Sequence, residues 1–396
     1  MTVEAPNIIS PKVDGTDHPF AVPSQAVQAT ELSKPIELQQ QARKVIVLGA
    51  GISGLTTGIL LREKGYEVEI WTKKTSPDTT SDVAGRVWFP YFKDGIPQED
   101  QDFLTNIGSI TRDTFEEQRR NFGSEATGII SSKVIDLKLK KTKLPWWKAA
   151  ADNLHHPHPD SDPEEKLPEG YKDGFVFQAP VIEMPKYMGF LMDMFTAAGR
   201  DGKRGTIKIL DKSITNISDV FEQSLIVVNC TGMGSRELFQ DTSLHAGRGQ
   251  VLQARPIDGM RRVLIDEDTN PDKPTYIVPR LNDMILGGSN EGVLKDTPEG
   301  REESRETPEE TQSILERTSR LDPRINQVTS DDVKPHVGFR PNRRVGVRLK
   351  IGNENISPDK LLVHNYGHGG SGITLSWGSA AEVVKIVDEV TRNWPN

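Results

Sequence analysis

The sequence holds a single cysteine, Cys230, which rules out an intrachain disulfide framework and most cysteine metal sites and fits a reducing compartment. No apolar run is long enough to cross a bilayer. The N-terminus lacks a basic-then-apolar leader, and Trp394-Pro395-Asn396 is not a peroxisomal address, so the expectation is a cytoplasmic protein with no membrane partner. Basic residues number 49 against 57 acidic ones, a net charge of −8 that argues against nucleic-acid binding. No internal repeat is visible. A chain of 396 residues can bury a sizeable core and is expected to form two domains.

What is present is concentrated first in Lys44 to Gly85. Val45 to Leu48 is a short aliphatic run, the pattern of a strand buried on both faces. Gly49, Gly51 and Gly54 follow at G-x-G-x-x-G spacing, with Ala50, Ile52 and Ser53 between them. Leu55 to Lys64 has helical periodicity, Gly65 stops it, and Glu67 to Trp71 reads as a second strand. Such a turn lets backbone approach a pyrophosphate, which then sits on the positive end of the helix, so a dinucleotide is expected here. The acidic residue that usually meets a ribose after the second strand is missing. Thr72, Lys73 and Lys74 stand there, and the lysines either favour a 2′-phosphate or are simply solvated.

Residues 1–42 read as an extended or disordered arm, the alternative being a packing or oligomer arm of a homodimer. Thr79, Thr80 and Ser81 offer hydroxyls, and Ala84-Gly85 lets backbone come close to a flat ligand. Helices are expected over Asp100 to Asn121, Pro298 to Arg320 (charged and mostly exposed) and Ile373 to Arg392. Strands are expected at Ile129 to Leu139, Ile214 to Ile217 and Leu225 to Asn229. Leu144 to Gly174, with His155, His156 and His158, reads as an irregular solvated loop whose histidines lack partner carboxylates. A second glycine turn, Thr231-Gly232, ends the strand at Asn229. The chain closes on Gly367, Gly369, Gly370 and Gly372, which lead into Ile373-Thr374 and gather backbone N–H groups at a helix entrance.

Five blocks together resemble the D-amino acid oxidase family of flavoproteins: GAGISGLTT from Gly49, TTSDVAG with WFPY from Thr79, VVNCTGMGSREL from Val227, GRGQVLQ from Gly247, and the pair GFRPNRR from Gly338 and HNYGHGGSGITLSWG from His364. The resemblance implies an α/β fold, with a Rossmann-like FAD-binding domain (43–92, 203–245, 335–396) and a mixed-sheet α+β substrate domain (93–202, 246–334). It implies FAD bound by the two glycine segments, Thr79 to Ser81, Ala84-Gly85 and Thr231-Gly232. It also implies oxidation of a D-amino acid by hydride transfer from Cα to flavin N5, with molecular oxygen reduced to hydrogen peroxide. Arg340 is expected to grip the substrate carboxylate bidentately, Tyr276 to add its hydroxyl, and the Gly370 carbonyl to accept from the amine.

Two positions depart from the family pattern. Asp272 replaces a second tyrosine, and Ser371 replaces a tyrosine between the last loop glycines. Neutral side chains are the first expectation, while Asp272 either attracts a cation or caps its turn. His364 and His368 are expected to fix the loop or adjoin the flavin. Arg343, Arg344 and Arg348 leave a basic strip as the other account of Arg340. Oxidation of D-aspartate, glycine or an N-methyl amino acid is the alternative on the same fold; a nicotinamide-dependent reductase and a flavin-bound scaffold or carrier without turnover are the others.

Overall fold

In the computed structural model, the described residues are 43–83, 86–90, 96–199, 201–292, 297, 300–301, 305–354, 357–392 and 394. The leader, Ala84, Gly85 and Tyr91 lie outside them. In chain order the main elements are β1 (Lys44–Leu48), α1 (Ile52–Glu63), β2 (Glu67–Thr72), β3 (Arg86–Val87), α2 (Gln98–Phe122), β4 (Ile129–Lys138), β5 (Asp152–His155), β6 (Asp173–Ile182) and α3 (Met184–Thr196). There follow β7 (Thr206–Ile209), β8 (Ile226–Asn229), β9 (Leu244–Ala254), β10 (Val263–Asp266), β11 (Thr275–Pro279), β12 (Met284–Gly287), β13 (Glu291–Gly292), α4 (Pro308–Leu321), β14 (Val333–Arg343), β15 (Arg348–Ile351), β16 (Leu361–Tyr366) and α5 (Ser376–Thr391).

The elements form two sheets. The first has the order β15-β16-β8-β1-β2-β7, parallel except for β15. Val45 to Leu48 are fully buried at its centre, as an all-aliphatic strand covered on both faces must be. The second is mixed, β13-β9-β12-β11-β10-β4-β6-β3, with β14 also on β9 and β5 on β6. The α/β class, a Rossmann-like sheet beside a mixed sheet, is the one expected. Strand β3 and residues 335–343 of β14, grouped above with the nucleotide-binding segments, hydrogen-bond instead in the mixed sheet. Through β14 the second sheet reaches the cleft of the first.

Helix α5 lies across α1 and α2. A Cβ on Gly378 would stand 2.1 Å from the Ile107 carbonyl oxygen, so the α2–α5 crossing is as close as backbone allows. The Gly378 N–H donates to Thr111 Oγ1 at 3.0 Å. This packing fixes where the C-terminal glycine loop enters α5.

Four local expectations change. Ile214 to Ile217 is no strand: Asn216 caps a short helix, Ile217–Phe221, by accepting from the Ser218 N–H. The helix expected over 298–320 is not continuous: Gly300 and Arg301 are helical, Pro298 lies outside the described residues, and α4 starts afresh at Pro308, where Thr307 caps it and proline suits the first helical position. Its inner face buries Glu310, Ile314 and Leu315, so it is half covered rather than mostly exposed. The stretch 144–174 contains β5 and two 3-10 turns, and its histidines do find carboxylates: His155 meets Glu165 and His156 meets Asp173. Lastly, α5 starts at Ser376 rather than Ile373, after a 3-10 turn at Gly369–Ser371.

Candidate functional site

The first glycine turn is shaped by close backbone approach. Gly49 has φ +103°, and a Cβ there would be 2.6 Å from the Cys230 carbonyl oxygen. A Cβ on Gly54 would be 1.9 Å from the Gly49 carbonyl oxygen, so the third glycine lets α1 sit directly on the turn. Gly51 caps α1 without a side chain, leaving first-turn N–H groups to other partners. One of them, the Ile52 N–H, donates to Ser81 Oγ at 3.0 Å. Thr79 in turn donates its N–H and hydroxyl to the Asp82 carboxylate, fixing the 79–83 turn against the glycines.

The second glycine turn follows β8. Thr231 Oγ1 donates to Asn229 Oδ1 at 2.8 Å and Gly232 adopts φ +56°. The C-terminal loop is strapped from several sides. Thr374 Oγ1 donates to the Phe89 carbonyl at 2.7 Å and accepts from the Phe89 N–H at 3.2 Å. His368 Nε2 lies 3.3 Å from Ser379 Oγ, and burial pulls its pKa down to about 4. His364 also titrates at about 4, lowered by burial and Arg348 against the raising effect of Glu354, which it meets at 2.9 Å. Both rings are therefore neutral at physiological pH and hold the loop. Burial pushes the Cys230 thiol up to about 12, so it is no nucleophile.

These segments meet around one cleft of about 490 Å³. Its walls are Gly49 to Ser53, Trp71 to Lys74, Thr79 to Ser81, Cys230 to Gly234, Asn365 to Gly370 and Gly372-Ile373; Gly249, Val251 and Gly338 to Pro341 close one end. Of the expected residues, Gly54 and Thr374 lie behind the wall as packing and strap, and Ala84 and Gly85 lie outside the described residues. Lys73 and Lys74 line the same cleft, as do Ser213 and Ile214.

The Arg340 guanidinium rests over Gly249, where a Cβ would be 2.3 Å from its Nη1, and Nη1 donates to the Ser289 carbonyl at 2.7 Å. Tyr276 is absent from the cleft wall but leans the same way: a Cβ on Gly287 would be 2.0 Å from its ring, and one on Gly288 2.6 Å from its hydroxyl. Guanidinium and phenol thus converge on residues 287–289. Arg317 of α4 braces this segment from below, donating to the carbonyls of Gly288 and Lys273 at 3.0 and 2.9 Å. The cap of this turn is Asn270, whose Oδ1 accepts from the N–H groups of Asp272 and Lys273; the Asp272 carbonyl accepts from the Asn290 N–H, and its side chain is exposed.

Sequence reasoning missed Gly249, Arg317 and Asn365. Gly249 stands inside the quoted GRGQ block, and a glycine breaking a strand was the available signal. Replacing Gly249 by alanine should push the guanidinium off its seat. The expected result is about a tenfold rise in KM for a carboxylate substrate with flavin content unchanged, read by steady-state kinetics and the visible spectrum.

A flavin dinucleotide suits this cleft. Asn365 lines it fully buried, donates Nδ2 to Thr57 Oγ1, and leaves Oδ1 as a buried acceptor without a partner among the described residues. Such an atom calls for a donor from a ligand, and FAD carries ribityl hydroxyls and a ring N–H.

A family model described as FAD dependent oxidoreductase matches residues 44–386. The D-amino-acid oxidase of Rubrobacter xylanophilus is 36% identical over 345 residues, covering 87% of this chain and 95% of that protein. The D-amino-acid oxidase of Dictyostelium discoideum is 33% identical, covering 87% and 91%. Among solved structures, glycine oxidase from Geobacillus kaustophilus superposes with a TM-score of 0.67 at 18% identity, over 88% of this chain and 95% of that one.

Proposed function

Because the chain belongs to the family of FAD-dependent oxidoreductases, we propose that it oxidises D-amino acids at Cα to 2-oxo acids, with ammonia and hydrogen peroxide as the other products. The observation that carries this reading is the seating of the Arg340 guanidinium in the same cleft as both glycine loops. The two relatives named D-amino-acid oxidase support the D configuration.

Arg340 holds the substrate carboxylate as a planar fork, which fixes the plane of the carboxylate and hence the direction of the Cα–H bond. The Tyr276 hydroxyl adds a second donor from the same side, and the Gly370 carbonyl accepts from the amine. FAD in the cleft supplies the acceptor for a hydride. The amine enters neutral, so that its lone pair can form the C=N bond as hydride leaves, and no side chain has to remove the Cα proton. Positioning is then the protein's main contribution, worth up to several kcal/mol. The amino acid loses two electrons and two protons to become an imino acid, and water hydrolyses that to the 2-oxo acid and ammonia. Molecular oxygen takes the electron pair and two protons.

Anaerobic titration tests this directly. D-alanine and other D-amino acids should bleach the flavin absorbance, and air should restore it with peroxide released. Bleaching by L-amino acids, by glycine or by sarcosine, with none by D-amino acids, would replace this reading with one of the alternatives.

A further inference from the structure

The cleft accounts for the carboxylate and the α-amine of an amino acid, and the mixed sheet sets what its side chain meets. Gly249 and Val251 face the cleft from β9. The pairing runs from Val251 to Gly287, Tyr276, Ile265 and Asp136, across β9, β12, β11, β10 and β4. Alternation along an extended chain puts Glu267, two residues beyond Ile265, on that same face. Lys138, two beyond Asp136, comes beside it.

The charges around this position do not balance. Lys138 pairs with Asp136 at 2.9 Å and Asp268 at 3.4 Å. Asp266 accepts from the Tyr171 hydroxyl at 2.6 Å and from the N–H groups of Asp268 and Thr269. Glu267 is half-buried and has no hydrogen bond or ion pair among the described residues. Burial and the carboxylates of Asp136 and Asp266 push its carboxyl up to about 7, while Lys138 and Arg340 pull against them. The Arg340 guanidinium is thus near enough for its field to act on Glu267. A carboxylate withdrawn from water and left without a partner is costly until a cation arrives.

We propose that Glu267 is the counter-charge for a cationic substrate side chain, so that basic D-amino acids of the ornithine, lysine and arginine type are the preferred substrates. This rests on Arg340 being the carboxylate anchor. The Arg340 head sits at Ser289, just past the end of β12, and Glu267 follows β10, two strand spacings or about 10 Å away. A lysine carries its ammonium on a four-carbon stem. That stem, with one contact at each end, matches such a separation. Glycine, at the other extreme, would leave Glu267 unmet.

The test compares D-lysine with its neutral isostere D-norleucine in the holoenzyme. D-lysine should be favoured by about tenfold or more in kcat/KM, and Glu267→Gln should bring the ratio near one. The ratio should also rise as pH goes from about 6 to about 8: a carboxyl raised to about 7 is ionised only above that value, and the α-amine is common to both substrates. Calorimetry supplies a readout free of turnover: 6-aminohexanoate should bind the wild type more tightly than hexanoate, and Glu267→Gln should lose the difference. Bleaching by D-norleucine without any preference for D-lysine, or a preference that survives Glu267→Gln, overturns the inference alone. Bleaching by neither overturns the D-amino acid reading beneath it as well.

Discussion

Arg340→Ala is expected to lower kcat/KM for an amino acid by about 30-fold to several thousandfold, chiefly through KM. The range follows from the roughly 2–5 kcal/mol lost when one partner of a buried charge pair is cut back. Arg340→Lys should recover part of this, because the charge returns but the planar fork does not. The alanine variant should keep its yellow colour, since the guanidinium is seated on Gly249 and the Ser289 carbonyl of the mixed sheet. Steady-state peroxide assays, paired with visible spectra, separate the two effects. Unchanged kinetics on a carboxylate substrate would return Arg340 to the basic strip of Arg343, Arg344 and Arg348.

Gly54→Ala should yield a protein that purifies colourless. Its Cβ would lie 1.9 Å from the Gly49 carbonyl oxygen, backbone against side chain, with no flexible end to move aside. Overpacking of this kind costs about 1–3 kcal/mol. Displacing the turn also forfeits the stabilisation a bound cofactor lends, about 4 kcal/mol at a thousandfold excess over Kd. The absorbance ratio at flavin and protein wavelengths, and melting curves with and without added FAD, measure both. Gly189→Ala is the control, because it lies in α3 with nothing within 4 Å of the added Cβ and should be neutral or slightly stabilising. A yellow Gly54→Ala protein with wild-type melting would mean that the turn tolerates displacement.

The legible parts of the sequence were those where one residue type answers to local geometry. Glycine at 49, 51 and 54 could be read because the strand before and the helix after leave few other uses for that spacing. What stayed hidden depends on pairing between distant strands. Gly249 looked like one glycine of a block, and only the β9–β14 register, Gly338 opposite Gly249, puts it beneath Arg340. The strap made by Thr374 had no sequence signal either, because its hydroxyl spans 285 positions to hold Phe89. Ser81 was read as a hydroxyl for the ligand and serves at least partly as a cap for α1. Glu267 carried no signal in the sequence, because distance from Tyr276 along the chain says nothing about which face of the sheet a carboxylate occupies. The single helix expected over 298–320 is interrupted at 305–307, and the Thr307-Pro308 pair was the local signal for a fresh start.

The hydroxyl of Thr56 on α1 reaches the Ser376 carbonyl at the start of α5, a separation of 320 positions. During synthesis at about 5–20 residues per second, the first half of this cradle therefore waits on the order of 16 to 64 seconds for its second half to leave the ribosome. Until then β1 can already hold β8 at its edge, but α1 lacks the cover of α5. Cofactor capture becomes a late event, and the nascent chain is a natural client for chaperones.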